Sequence, residues 1–266
     1  MQLPEPSQAV LRAARKLVRR KARREAGKFL VEGRQAVREA LRSPGVVEAV
    51  FVRWADAIEH ADLVDAARRG GVVVYGVSEQ NLATLSDTVT PQGLVAVART
   101  IDVPLESVVR DGARLVVVCA QVRDPGNAGT VIRCADAFGA DAVVLSADSV
   151  EVYNPKTVRA SVGSVFHLPV VTGVELADAI AACHAAGLQV LATDGEADTL
   201  LPELGERLAR PTAWVMGNES WGLPVEHLQL ADQTVAVPIY GKAESLNLAT
   251  AAAVCLYASA SAQRSS

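Results

Sequence analysis

The apolar positions of the chain fall into two rhythms. In the first hundred residues, an apolar run at 28–31 reads as a strand, and residues 32–41 read as a helix ended by the Ser43-Pro44-Gly45 turn. Residues 46–52 read as a second strand. Ile58, Leu63, Val64 and Ala67 recur at helical spacing, so residues 55–69 read as a helix that stops at Gly70-Gly71, with a strand following at 72–77. Residues 78–85 read as a short helix capped by Ser78, and 93–98 as a last strand after the Thr90-Pro91-Gln92-Gly93 turn. This is the pattern of a small α/β unit.

Between residues 99 and 112 the period fades and Pro104 falls in a polar run, which marks a linker. From Arg114 onward, strongly apolar runs at 115–120, 142–145, 188–192, 213–216 and 234–237 alternate with helical stretches. Continuous Val, Ile, Leu and Ala suit strands buried on both faces, hence a parallel sheet covered by helices on each side. Ligand chemistry in such a sheet belongs at the carboxyl ends of its strands. The expected organisation is a basic segment at 1–27, a first domain at 28–98, a linker at 99–112 and a second domain at 113–266.

Composition alters this picture mainly at one end. With 50% hydrophobic and 21% charged residues, the 266-residue chain can bury one large core or two modest ones, which argues against disorder. The net charge of −4 conceals an asymmetry: residues 1–42 hold 12 Lys/Arg against 4 Asp/Glu, leaving −12 on the remainder. Arg12, Arg15, Lys16, Arg19, Arg20, Lys21, Arg23, Arg24 and Lys28 are too dense for one helical stripe. Such a run is either an electrostatic footprint for phosphate or a solvated basic helix. No basic-then-apolar leader opens the chain, and the longest apolar-rich stretch, 248–258, is too short for a membrane span, so a cytoplasmic protein without a membrane partner is expected. Cys119, Cys134, Cys183 and Cys255 lie far apart among apolar neighbours, without CxxC or His at ligand spacing; buried thiols and no metal are expected.

Three loops after expected strands concentrate the unusual residues. Asp124-Pro125-Gly126-Asn127-Ala128-Gly129-Thr130-Val131-Ile132-Arg133 opens a helix whose one face can present Asn127, Thr130 and Arg133 to a ligand, although alone it could be a simple cap. Met216-Gly217-Asn218-Glu219-Ser220-Trp221-Gly222-Leu223-Pro224 has glycines suited to a sharply bent loop. Pro238-Ile239-Tyr240-Gly241-Lys242-Ala243-Glu244-Ser245-Leu246-Asn247-Leu248 leads into an Ala-rich helix at 249–260, and its Ser-x-Asn, read alone, is an N-cap. The alternatives fail on the letters: no two glycines stand two residues apart, so GxGxxG is absent, and there is no Walker A lysine. A nucleophile elbow around Ser220 needs Gly where Asn218 stands, and the histidines at 60, 167, 184 and 227 offer no obvious base.

Taken together, Asn127-x-Gly129-x-x-x-Arg133, then Gly217-Asn218-Glu219-x-x-Gly222-Leu223, then Pro238-Ile239 with Ser245-Leu246-Asn247-Leu248 resemble the three signature motifs of the SpoU (TrmH-like) branch of the SPOUT RNA methyltransferases, in order. The stretch from Asn154 to His167 resembles the family's segment between its first two motifs. Upstream, Lys28-Phe29-Leu30-Val31-Glu32-Gly33 through Gly93-Leu94-Val95-Ala96 is similar to the substrate-binding domain that precedes many members. The resemblance implies an α/β fold: a parallel-sheet SPOUT domain with a C-terminal trefoil knot, a topology that general chain-path rules disfavour, preceded by a small L30e-like RNA-binding domain. It also implies S-adenosylmethionine as methyl donor, no metal, transfer to a ribose 2′-hydroxyl, RNA as partner with ribosomal RNA ahead of transfer RNA, and a homodimer with its active site at the subunit interface.

By the same resemblance, Arg133 stands beside the 2′-hydroxyl, either as general base or as a clamp on an adjacent phosphate; the second follows from guanidinium groups staying protonated in proteins. Asn127 would fix Arg133 or the ribose, Glu219 would hold the guanidinium, and Ser245 and Asn247 would orient the substrate. Gly217, Asn218, Ile239, Leu246 and Leu248 would hold the donor, largely through backbone groups. With only 4% aromatic residues and few in the front domain, stacking on single-stranded bases is not expected there, and recognition by charge and RNA shape is.

Overall fold

The Ser7 hydroxyl accepts the Val10 N–H and so starts α1 (Gln8–Lys16), and α2 (Arg20–Ala26) ends where Gly27 takes a left-handed conformation. Both belong to a computed structural model that describes residues 3–86, 88 and 92–265. Its two units are Met1–Ile101 with Tyr153–His167, and Asp102–Val152 with Leu168–Ser266. In the first unit, β1 (Lys28–Glu32), α3 (Arg34–Leu41), β2 (Val47–Arg53), α4 (Ala61–Arg69), β3 (Val73–Val77), α5 (Glu79–Ala83) and β4 (Leu94–Arg99) follow in order. The sheet order is β1-β4-β2-β3, with β4 antiparallel to both neighbours and β2 parallel to β3.

Within the segment set apart in the sequence by its charge, α1 and α2 are folded into this unit: Leu11, Ala14 and Leu17 share a core with Leu30, Phe51 and Val95. Charge density obscured that apolar stripe. The helix expected at 55–69 begins only at Ala61, and Ile58, whose spacing suggested a core position, is 86% exposed. Asp56 explains the difference: its carboxylate takes the Arg53 guanidinium and occupies the space beside Gly93, so Trp54–Asp56 close into a 3-10 turn. Part of the turn expected at Thr90-Pro91-Gln92-Gly93 lies outside the described residues.

The second unit begins within the expected linker, where Leu105–Val108 form α6 and Val109 is buried in the core. Then come β5 (Leu115–Cys119), α7 (Pro125–Phe138) and β6 (Ala142–Ser146). The next helix, α8 (Pro155–Ser161), groups with the first unit, in which Arg159 pairs with Glu32 at 3.2 Å and Tyr153 lies 4.4 Å from the Phe29 ring. Back in the second unit are β7 (Val170–Val174), α9 (Leu176–Ala185), β8 (Gln189–Thr193), β9 (Thr212–Met216), α10 (Val225–Leu228), β10 (Gln233–Val235) and α11 (Leu248–Ser265). The order β10-β8-β9-β5-β6-β7 is parallel throughout. Strands β5, β6 and β9 are buried along their whole length, as continuous apolar runs require. The edge strand β7 was not expected, because Thr172 and Gly173 interrupt its apolar run.

Candidate active site

The carboxyl end of β5 is shaped by a turn in which Gln121 adopts φ +55°, unusual for a residue with a Cβ. Hydrogen bonds hold it on both sides: its N–H donates to Ser146 Oγ at 3.0 Å and its carbonyl accepts from Asn218 Nδ2 at 2.7 Å. Ser149 Oγ accepts the next amide, that of Val122, at 3.2 Å. The chain then enters α7, where Asp124 Oδ1 caps the Asn127 N–H and Pro125 takes the first helical position, needing no amide there.

After β9 the chain turns back on itself. Asn218 and Gly222 exchange backbone hydrogen bonds of 2.8 and 3.0 Å, and Asn218 Oδ1 accepts the Ser220 N–H at 2.8 Å. A Cβ on Gly217 would lie 2.5 Å from the Gly222 carbonyl carbon, so only glycine permits this closeness. Asn218, expected among the donor-binding residues, is buried and its side chain shapes the loop.

Glu219 leaves this loop toward the start of α7. Its carboxylate accepts from the Arg123 and Asp124 amides at 3.3 and 3.2 Å and from Asn127 Nδ2 at 3.0 Å. Partial burial pushes this acid up, but the hydrogen bonds from Asn127 and the backbone outweigh that and hold it below its usual range. Asn127 Oδ1 in turn accepts from Asn247 Nδ2 at 2.9 Å. Asn247 also caps α11, accepting the Ala249 and Thr250 amides at 2.9 and 3.3 Å. The Ser-x-Asn is therefore a cap at Asn247, and that cap reaches across to Asn127.

The expected pairing of Glu219 with Arg133 is not what forms: the acid is occupied by amides, and Asn127 bridges Glu219 and Asn247. Arg133 is exposed on α7 and its side chain has no hydrogen bond or ion pair among the described residues, so no structural bridge holds it. Thr130 is exposed on the same helix, its hydroxyl donating to the Gly126 carbonyl at 2.8 Å. Ser245 is exposed too, and Ile239 and Leu246 are 38% and 37% exposed. Gln121, Ser146, Ser149, Arg123 and Trp221 went unnoticed in the sequence. The three pinning residues carry no local signal, but an indole inside a glycine-flanked loop of an aromatic-poor chain could have been noticed.

Cys119, Cys183 and Cys255 are buried, and burial pushes their thiols up to about 12. Among the described residues no group of three or more His, Cys, Asp or Glu could hold a metal ion, and no helix is long and apolar enough to cross a membrane.

Comparison with known proteins adds an independent line. Residues 114–257 match the SpoU rRNA Methylase family, and residues 9–96 match the MRM3-like substrate binding domain. The 23S rRNA (guanosine(2553)-2′-O)-methyltransferase RlmP of Bacillus subtilis is 37% identical over 243 residues, covering 91% of this chain and 92% of that protein. The 23S rRNA (uridine(2479)-2′-O)-methyltransferase of Streptomyces viridochromogenes is 32% identical over 253 residues, covering 90% of this chain and 84% of that protein. The crystal structure of an AdoMet-bound rRNA methyltransferase from Sinorhizobium meliloti superposes with a TM-score of 0.82 at 30% identity, covering 97% of each chain.

Proposed function

The chain belongs to the SpoU rRNA methylase family, and from that premise we propose that it transfers a methyl group from S-adenosylmethionine to a ribose 2′-hydroxyl of ribosomal RNA. The observation that carries this reading is the hydrogen-bonded chain Glu219–Asn127–Asn247, which ties the loops after β9, β5 and β10 into one constellation at the carboxyl ends of a parallel sheet.

The residues present fit the donor. Residues 238–246 make no hydrogen bond among the described residues, leaving their amides and carbonyls open to a ligand. The Asn247 side chain caps Ala249 and Thr250, and the Ala251 amide donates to the Asn247 carbonyl, which leaves the Leu248 amide over in the first turn of α11. Ile239 and Leu246 offer partly exposed apolar surface in the same segment. Gly217, Ile239, Leu246 and Leu248 would hold the donor, which, when bound, supplies a methyl on positively charged sulfur that departs as a neutral thioether.

The chain's own contribution is placement. Asn127, fixed at both ends, and Ser245, with its hydroxyl unengaged, orient the ribose. Arg133 lies about 9 Å further along α7 than Asn127, and helical side chains lean toward the N-terminus, so its guanidinium can return over the ribose. Its guanidinium binds the adjoining phosphate and stabilises the 2′-oxygen as the hydroxyl proton passes to solvent. Holding the reactants in line supplies much of the rate, on the order of 7 to 11 kcal/mol in favourable cases.

In the first unit Arg12, Lys16, Arg19 and Arg24 are exposed, and phosphate contact suits them. The family resemblance supports a C-terminal knot and a homodimer formed through the second unit, where α11 exposes Val254 and Tyr257. The likeness to a bacterial 23S rRNA methyltransferase supports a cytoplasmic location. The test is to incubate the protein with labelled S-adenosylmethionine and ribosomal RNA, then map the label. One internucleotide bond should resist alkaline hydrolysis; label on a base, or no transfer to ribosomal RNA, overturns the reading.

A further inference from the structure

Trp221 is a large indole that the fold holds 54% exposed. Its exposure is not the result of a slack loop. The reciprocal Asn218–Gly222 hydrogen bonds, the Asn218 side chain on Ser220 and Gln121, and Gly222 at φ +67° together determine the turn from which it projects. The same turn directs Glu219 onto Asn127, and Trp221 is two residues further on, so their Cα atoms are at most about 7.6 Å apart. Arg123, on the facing loop, has its amide on Glu219 and its guanidinium carbon 5.6 Å from the centre of the Trp221 ring. A cation at that distance is attracted by the indole face. One carboxylate therefore orders both the asparagine of the site and the backbone of the arginine that accompanies the indole.

An exposed indole with a guanidinium beside it, at the mouth of a site read as acting on RNA, matches the chemistry of a nucleobase. Every base has a π-face that stacks on an aromatic ring, and the guanidinium adds charge where a phosphate backbone must pass. We propose that Trp221 and Arg123 form a stacking subsite for a nucleobase next to the reacting ribose. The subsite rests on the methyltransferase reading and deepens it: Arg133 and Asn127 address the sugar, while Trp221 positions the base so that the 2′-oxygen meets the donor. Because stacking reads a π-face and not a hydrogen-bonding edge, the subsite positions a nucleotide without choosing its identity.

The experiment compares the parent with Trp221→Ala, Trp221→Phe and Arg123→Ala in RNA affinity, single-turnover methyl transfer, S-adenosylmethionine affinity and sedimentation. Ribosomal RNA fragments spanning the mapped target serve as probe. Trp221→Ala should weaken RNA binding by roughly 5- to 150-fold, the range of one lost base–aromatic stack. Trp221→Phe should recover most of that loss, and Arg123→Ala should show a smaller one, with donor affinity and sedimentation as in the parent. In a Trp54→Phe background, where Trp214 is fully buried, RNA should quench the fluorescence of Trp221. Parental RNA affinity in Trp221→Ala overturns the subsite. So does an equal loss of donor affinity, which would make the indole part of the donor loop, or a change in sedimentation, which would make it a contact with a second copy. A parent that transfers no methyl to RNA overturns the underlying reading, and the subsite with it, before any variant is compared.

Discussion

Glu219 illustrates how a single carboxylate organises this site. An ionised carboxylate only accepts hydrogen bonds, and three N–H groups converge on this one. Glu219→Gln puts an amide where donors already point, so it should loosen Asn127 and reduce methyl transfer by about tenfold or more, as losing one preorganised group does. Because the acid is held below its usual value of 4.5, its contribution to stability is fully present above that value and is lost as pH falls through the lower folded value. The melting-temperature gap between parent and Glu219→Gln should thus be constant from pH 7 to about 5 and close in more acidic solution; closing already between pH 7 and 5 would contradict this. The sequence singles out Asn127, Glu219 and Asn247, which the structure joins by hydrogen bonds, but it does not reveal how they pair. Asn127, Glu219, Asn247 and Arg133 stood out by type and spacing, but the acid was assigned to Arg133. Spacing along a chain does not reveal that backbone amides in the loop after the neighbouring strand β5 have already filled its lone pairs.

At the scale of elements, two segments allow separate checks. In the loop after β9, a Cβ on Gly217 would meet backbone atoms of Gly222 and Leu223 at 2.5 to 2.8 Å, and backbone cannot swing aside as a side chain can. Gly217→Ala should therefore lower S-adenosylmethionine affinity, read by calorimetry, while the far-ultraviolet dichroism of the chain is kept; parental affinity would separate this loop from the donor. In α1 and α2, charge density suggested one role for all the basic residues, and the structure divides them. Arg23 is buried and donates to the Leu17 and Val18 carbonyls at 3.0 and 2.8 Å. Arg23→Ala should destabilise the chain by about 1 to 3 kcal/mol in chemical denaturation, the scale of leaving buried acceptors unpaired. Replacing the exposed Arg12, Lys16, Arg19 and Arg24 together should leave stability near parental but weaken RNA binding and flatten its salt dependence. An unchanged salt slope would return these residues to a solvated face. The central strands β5, β6 and β9 were readable because burial on both faces leaves continuous apolar runs, whereas the edge strand β7 was not. The helix misread at 55–69 was not, because Asp56 and Gly93 impose the 3-10 turn from a distance of 37 positions in the sequence.

At the scale of the whole molecule, the parallel sheet was legible in the sequence, while the grouping of residues 153–167 with the front of the chain depends on long-range packing that no local pattern announces. The second unit also shows apolar surface on its last helix: Tyr257, 61% exposed, meets Phe138 edge-on at 5.7 Å, with Val254 one turn earlier. Small side chains along α11 permit close approach, so the chain should sediment as a dimer at micromolar concentration, and Tyr257→Asp should shift it toward the monomer. A parent that is fully active as a monomer would contradict that arrangement. The central claim is that methyl transfer to a ribose occurs at the site built on Asn127 and Arg133, and single-turnover transfer by Arg133→Ala tests it most directly. Because Arg133 is exposed with no structural partner among the described residues, the variant should match the parent in melting temperature and donor affinity. It should nevertheless transfer labelled methyl from S-adenosylmethionine to RNA roughly 10²-fold more slowly or worse. Transfer at the parental rate, or a loss of rate that merely follows a loss of folding, would contradict the account.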